Sequence, residues 1–477
     1  MATADSSTML ETTLSRVLRE RIRGFRSLRS CERLSGGASQ ETYRLALETE
    51  GAERRLAMRR AAGGAKQPIP AAGPGLAGEA RLFEAAGAAG VPEPEILYVF
   101  EERDGLGEGF LMEWLEGETL GARIVRGEEF QAIRPKLARQ CGEVLARIQG
   151  LDVRKAGLAE ALRIRTPEEL VHESWDLYKA YETPQPMIDF SARWLLENLP
   201  PPSPPRLVHG DFRNGNLMIS PERGIVAVLD WELAHLSDPI RDLGWLCTNS
   251  WRYGRSDLPV GGFGTLEDLL DGYASVSGER IEPSHVKFWI VFGSFWWSVG
   301  TLSMTQVYRM GPDRSVERAA IGRRSSECQV DCTNLLIPGP LQSLEGAARP
   351  SSLDMPRTDE LLTSVRDFLR NDVMNAMRGR TSFLARVASN SLDIVLRELE
   401  LGPAHHARER DGLERILGRS DDLEVLRWEL VRALRDGSMP LDRPGLADHL
   451  RQTVVTQVAI DQPRYSGYLA ALRDSGG

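Results

Sequence analysis

Between residues 207 and 232 the chain alternates short apolar runs with a polar loop. Leu207-Val208 leads into His209-Gly210-Asp211-Phe212-Arg213-Asn214-Gly215-Asn216, Leu217-Met218-Ile219 follows, and Val228-Leu229 runs into Asp230-Trp231-Glu232. Apolar runs this short, bounded by Gly, Asn and Asp, read as strands. A carboxylate, Asp211, is therefore delivered onto a loop by one strand. A carboxamide follows five residues later at Asn216, and a second carboxylate, Asp230, ends the next apolar strand fourteen residues on.

These residue types suit phosphoryl transfer, whose loose transition state asks the protein mainly to align two oxygens and balance charge. Asp211 would orient or accept the proton of an acceptor hydroxyl. Magnesium takes oxygen ligands and few protein ones, so Asn216 and Asp230 form a plausible protein share, with Glu232 as a further carboxylate two residues beyond. Arg213 stands where a cation reaches the transferred group, and His209 serves better as a hydrogen-bonding brace of the loop than as a base. A single Asp in a turn is ordinarily only a turn former. Here the spacing, the flanking strands and the strand-terminal Asp230 meet independent requirements together.

H-x-D-x-x-x-x-N followed by a strand-terminal Asp resembles the catalytic loop of the aminoglycoside phosphotransferase and choline kinase family, which shares the protein-kinase-like fold. The resemblance implies an α+β, bilobal protein-kinase-like chain, with a β-rich N-lobe and a mainly helical C-lobe. It also implies further sites upstream. Ser35-Gly36-Gly37-Ala38-Ser39 lies between two strand-like runs and is expected to bring backbone N–H groups to nucleotide phosphates. Leu56-Ala57-Met58-Arg59-Arg60 fits the third strand, with arginine, Arg59 or else Arg60, in place of the phosphate-pairing lysine. Its carboxylate partner on the next helix is expected to be Glu79, with Glu84 as second choice. Glu113 and Leu115 are the expected hinge residues, pairing with the purine through backbone groups. Downstream, Asp238-Pro239-Ile240-Arg241-Asp242-Leu243 resembles the family's helix start, with Asp238 as cap and Asp242 as a brace for the catalytic loop.

The 477 residues divide into an N-lobe at 1–112, a C-lobe at 113–338, a Pro/Gly/Ser-rich linker at 339–352 and an all-α C-terminal domain at 353–477, marked by apolar stripes such as Leu423, Leu426, Leu430, Val431 and Leu434. This last part resembles a helical domain fused to some bacterial kinases of the group, and a partner contact or homo-oligomer through it is open. His405-His406 reads as a surface turn and Gly322-Arg323-Arg324 as a solvated helix face. Leu10, Leu14, Val17, Leu18 and Ile22 predict an amphipathic first helix. The aromatic run from Phe288 to Val299 predicts a buried helix too short to span a membrane.

A net charge of −9 argues against a nucleic-acid or anionic-membrane partner. Five scattered cysteines fit reduced thiols and a cytoplasmic location. The chain is thus expected to be an ATP- or GTP-dependent, Mg2+-requiring O-phosphotransferase acting on a small hydroxylated acceptor. The pattern with arginine at the lysine position and D-W-E at 230–232 is most similar to phosphotransferase-like domains related to those fused to acyl-CoA dehydrogenases, which implies a hydroxyacyl-CoA or another hydroxylated metabolite. The alternatives are a nucleotide-binding pseudokinase or scaffold, and an aminoglycoside-type antibiotic kinase.

Overall fold

The computed structural model describes residues 2–34, 40–62, 73–311, 313–342 and 355–473. The chain separates into two compact units, one of residues 1–166, 202–247 and 258–286, the other of residues 167–201, 248–257 and 287–477. Ser35, Gly36, Gly37, Ala38 and Ser39, and most of the 339–352 linker, lie outside the described residues.

The first unit opens with helix α1 (Ala2–Arg21) and a five-stranded antiparallel sheet of β1 (Phe25–Arg33), β2 (Gln40–Thr49), β3 (Glu53–Ala61), β4 (Ile96–Val99) and β5 (Gly109–Glu113), in the order β1-β2-β3-β5-β4. Period-two alternation decides what each face carries. On one face Tyr43, Leu45, Leu56, Met58 and Leu111 pack with Leu14, Val17 and Leu18 of α1, as the stripe in the first helix predicts. Each such side chain contributes roughly 1.5–3 kcal/mol on burial. Arg60 shares this face, its Nε 3.2 Å from Glu41 Oε2. Arg59, one residue earlier, points to the other face, where α2 (Gly75–Ala88) presents the buried Glu79. Alternation therefore selects Arg59 over Arg60 as the arginine directed at the site, and helix phase leaves Glu84 exposed.

Helix α3 (Arg134–Gln149) buries Leu137, Cys141, Val144, Leu145 and Ile148, the face its apolar spacing predicts. The chain then forms β6 (Arg206–Val208), β7 (Leu217–Ser220), β8 (Gly224–Val228) and β9 (His235–Ser237), paired as β6 with β9 and β7 with β8. Helices α4 (Ile240–Leu246) and α5 (Leu266–Ser277) complete the unit. Asp238 is not the N-cap expected of it, because Pro239 takes that position, but its Oδ1 accepts the Ile240 N–H at 2.8 Å at the helix start.

The second unit is helical. Pro167–Lys179 and Pro186–Glu197 join most of Pro283–Met310 and the helices that follow it. Phe288, Trp289, Phe292 and Phe295 are buried, as expected. Asp189 is fully buried and bound by Arg435 Nε at 2.8 Å and Trp175 Nε1 at 2.7 Å. Two expectations fail in this unit. His405-His406 is no surface turn: the pair lies inside the 39-residue helix Gly379–Leu417, and His405 is buried. Nor is Gly322-Arg323-Arg324 simply solvated. Gly322 is buried, Arg323 pairs with Asp461 at 3.0 Å, and Arg324 Nε reaches the buried Glu327 at 3.1 Å. Tertiary partners distant in sequence decide both cases. Among the described residues, no helix is long and apolar enough to cross a membrane.

Candidate active site

The loop from His209 to Asn216 leaves β6 and enters β7. Gly210 has φ +86°, and a Cβ there would lie 2.4 Å from the Leu233 carbonyl oxygen, so glycine is needed at this step. His209 is buried, its ring centroid 4.7 Å from that of Trp231. Its Nδ1 accepts the Asp211 N–H at 3.2 Å and its Nε2 lies 3.0 Å from the Leu229 carbonyl, the pattern of a neutral ring protonated on Nε2. Burial lowers its pKa, which keeps the ring neutral. Both nitrogens are thus engaged in bracing the loop.

Asp242 on α4 supports the same loop. Its Oδ2 accepts the His209 N–H at 2.7 Å and its Oδ1 the Gly210 N–H at 3.0 Å, while Arg241 donates to the Gly210 carbonyl at 2.8 Å. Asp211, at the loop's centre, is held by three donors. Trp245 Nε1 at 2.7 Å and Arg213 Nε at 3.0 Å reach Oδ1, and Asn216 Nδ2 reaches Oδ2 at 2.7 Å. No sequence motif marks Trp245 as a partner of Asp211. Its signal is a buried indole N–H one helical turn after Asp242, which must find an acceptor.

The second carboxylate lies close by, because the Leu229 N–H donates to the Asn216 carbonyl at 2.8 Å one residue before Asp230. Asp230 adopts a left-handed backbone, φ +70°, a conformation that concentrates at functional sites. Arg59 Nη2 pairs with Asp230 Oδ1 and stands 3.9 Å from Glu232 Oε2, while Nε is 3.1 Å from Glu79 Oε1 and hydrogen-bonds Gln40. Glu79 has its carboxyl pushed up to about 7 by burial, against the pull of Arg59 and with Asp230 and Glu232 adding to the rise. At the expected hinge, Glu113 pairs with Leu56 in the sheet and its N–H donates to the Glu95 carbonyl at 2.9 Å. Leu115 follows just beyond the strand and is half-buried.

The residues fit a magnesium site on one observation: the Asp230 and Glu232 carboxylates converge on a cation, the Arg59 guanidinium. With Nδ2 of Asn216 committed to Asp211, Oδ1 is the atom suited to a metal. Among the described residues no three His, Cys, Asp or Glu side chains form a metal site by themselves. Two carboxylates and an amide would need phosphate oxygens to complete a magnesium shell.

Residues 30–278, just over half of the chain, match the phosphotransferase enzyme family, and residues 375–465 match a domain of unknown function, DUF6285. Acyl-CoA dehydrogenase family member 10 of Mus musculus is 33% identical over 215 residues, covering 44% of this chain and 19% of the mouse protein. Acyl-CoA dehydrogenase family member 11 of Gallus gallus is 25% identical over 342 residues, covering 65% of this chain and 41% of the chicken protein. The chain thus spans well under half the length of these curated relatives. A solved structure from Ralstonia eutropha JMP134, a candidate aminoglycoside phosphotransferase, aligns with a TM-score of 0.53 at 22% identity over 67% of this chain and 95% of its own. That likeness establishes the kinase-like fold, an N-terminal sheet followed by a helical lobe, with further helices after it. The loop that the sequence singled out lies inside the matched segment, and this chain belongs to the phosphotransferase enzyme family.

Proposed function

We propose that this chain transfers the γ-phosphoryl group of ATP or GTP to the hydroxyl of a small molecule. The observation that carries the reading is the threefold hold on Asp211 by Trp245, Arg213 and Asn216. A carboxylate so restrained keeps lone pairs for an acceptor hydroxyl and needs no reorientation when the hydroxyl arrives. The acceptor oxygen forms its bond to the γ-phosphorus as the bond to the bridging oxygen breaks. Asp211 takes or orients the hydroxyl proton, and the nucleoside diphosphate leaves.

Arg213, tied to Asp211, supplies positive charge beside the transferred group. Arg59, steadied by Glu79, is the cation for the nucleotide phosphates, and backbone groups of Glu113 and Leu115 serve the purine. Ser35 to Ser39 complete the phosphate contacts in this reading. Asn216, Asp230 and Glu232 would hold magnesium, which when bound aligns and neutralises the phosphates. We place the activity in the cytoplasm, where the five free cysteines stay reduced.

A hydroxyacyl-CoA is the first acceptor class to test, suggested by relatives named as acyl-CoA dehydrogenases. A pseudokinase reading draws on arginine at position 59, but Asp211, Asn216 and Asp230 are all retained and mutually placed. Purified chain with Mg-ATP or Mg-GTP should be offered hydroxyacyl-CoAs, free hydroxylated metabolites and aminoglycosides, and phosphorylated product measured by mass spectrometry. Product from the first class is expected. Product from aminoglycosides alone would reassign the acceptor, and no product from any class, with nucleotide still bound, would establish the pseudokinase.

A further inference from the structure

Gln40 is the first residue of β2, and period-two alternation puts it on the same face of the sheet as Thr42. Thr42 lies directly opposite Arg59 and Gln40 opposite Ala61, so Gln40 and Arg59 are diagonal neighbours across the two strands, a separation that long side chains span. The adjacent pair differs. On the other face Glu41 meets Arg60, a carboxylate 3.2 Å from a guanidinium, and the charges cancel. The side chain that meets Arg59 is a neutral carboxamide.

Gln40 Oε1 accepts the Arg59 Nε–H, and the same Nε lies 3.1 Å from Glu79 Oε1. Burial raises the Glu79 carboxyl, neither of whose oxygens has a well-aligned hydrogen bond, and the Gln40 amide is a neutral donor near enough to favour the charged form. A carboxamide suits both neighbours, since its oxygen accepts from a guanidinium while its N–H donates to a carboxylate. Nη2 of Arg59 is taken by Asp230, with Glu232 at 3.9 Å. Among the described residues Nη1 makes no hydrogen bond, so it is the nitrogen left to turn toward a phosphate. An ammonium is a compact point charge on a flexible stem and needs no such guide, whereas a planar guanidinium must have its plane set.

We propose that Gln40 is a positioning residue for nucleotide binding, the side chain that lets an arginine work where protein kinases carry lysine. It fixes the guanidinium through Nε, which directs Nη1 to the phosphates. It adds no charge beside a cation that already faces Glu79, Asp230 and Glu232. A glutamate at this position would still accept from Nε and would repel Glu79. The inference rests on Arg59 as the phosphate cation of the phosphotransfer reading.

A double-mutant cycle on the full chain tests it, with Mg-ATP and Mg-GTP affinity measured by calorimetry for the unmodified chain, Gln40→Met, Arg59→Lys and the double variant. Gln40→Met, close in size but without the carboxamide, should weaken affinity about tenfold. In the Arg59→Lys background the same substitution should change affinity less than about threefold, because an ammonium has no Nε to be oriented. A residue that merely stabilised the sheet would lower affinity alike in both backgrounds. Gln40→Glu keeps the acceptor, provides a second variant if Gln40→Met fails to fold, and should also lose about tenfold or more. Equal losses in the two backgrounds, or undiminished affinity in Gln40→Met or in Gln40→Glu, would overturn the inference. The expected coupling without transfer to any acceptor would fail the phosphotransfer reading alone, and an unmodified chain that binds neither nucleotide would overturn both.

Discussion

Both units bury ionisable side chains, and the two dispose of them differently. Around Asp211 the polar groups close on one another: His209, Asp242, Arg213, Asn216 and Trp245 form one hydrogen-bonded network about its loop. In the helical unit Asp461 and Glu409 are paired with Arg323 and Arg427, and His405 Nε2 is buried without a hydrogen-bond partner. Burial alone thus does not mark a site of chemistry. The first unit keeps its charged side chains oriented by a connected set of neighbours, whereas the second balances buried charge in separate ion pairs.

The steepest loss is expected at Asp230. Asp230→Ala should weaken magnesium-dependent nucleotide affinity by at least ~100-fold, the upper end of what loss of a merely supporting contact costs. Magnesium titrations by calorimetry check this, and unchanged affinity would remove Asp230 from the metal site. Trp245→Phe removes one of the three donors to Asp211, a hydrogen bond to a charged group worth roughly 1.5 kcal/mol. The expected cost is about tenfold in kcat with KM little changed. A change in KM alone would mean that the indole serves binding rather than the orientation of Asp211.

Glu79 allows the first unit to be sharpened by pH. Its carboxyl sits near 7 in the folded chain, above the ordinary 4.5, so the folded state holds the proton more tightly. This group's contribution to stability therefore falls as pH rises from about 4.5 to 7. In the folded chain Glu79 gains the charge that holds Arg59 around pH 7, so kcat/KM should rise severalfold through pH 7, and Glu79→Gln should flatten that rise. A pH profile identical in the variant would sever Arg59 from its proposed support.

The histidines of the helical unit run the other way, and the effect is smaller. His405 and His449 sit near 4 against an ordinary 6.5, so the unfolded chain binds protons more tightly. The stability they contribute is full above pH 6.5 and is lost as pH falls toward 4. A thermal midpoint followed by circular dichroism should drop by roughly 2–4 °C for each kcal/mol lost, and less in His405→Phe. An equal drop in that variant would mean that other groups govern the acid response.

The loop from His209 to Asn216 was legible because its constraints are local: short strands, a glycine turn and fixed spacing. α1 and α3 were legible from apolar periodicity over several turns. The choice between Arg59 and Arg60 was not, since adjacent arginines differ only in which face of β3 they occupy, and that depends on where α1 packs. Trp245 was missed because its meaning lies in the distance from its indole to Asp211 across thirty-four residues. His405 was misread because an adjacent polar pair soon after Pro403 looks like a turn, whereas packing against Leu446–Asp461 carries the helix through. Local chemistry is written in short segments, and the burial of polar side chains is decided by partners that lie far away in the chain.

The central claim is that Asp211, held in place by its neighbours, serves the transfer step itself. Single-turnover quench-flow with γ-labelled Mg-nucleotide and an acceptor identified in the product screen measures that step. Rapid labelling of the acceptor by the unmodified chain is expected, with a loss of about 10³-fold in Asp211→Asn at unchanged nucleotide affinity. Equal transfer rates in the two proteins would contradict it.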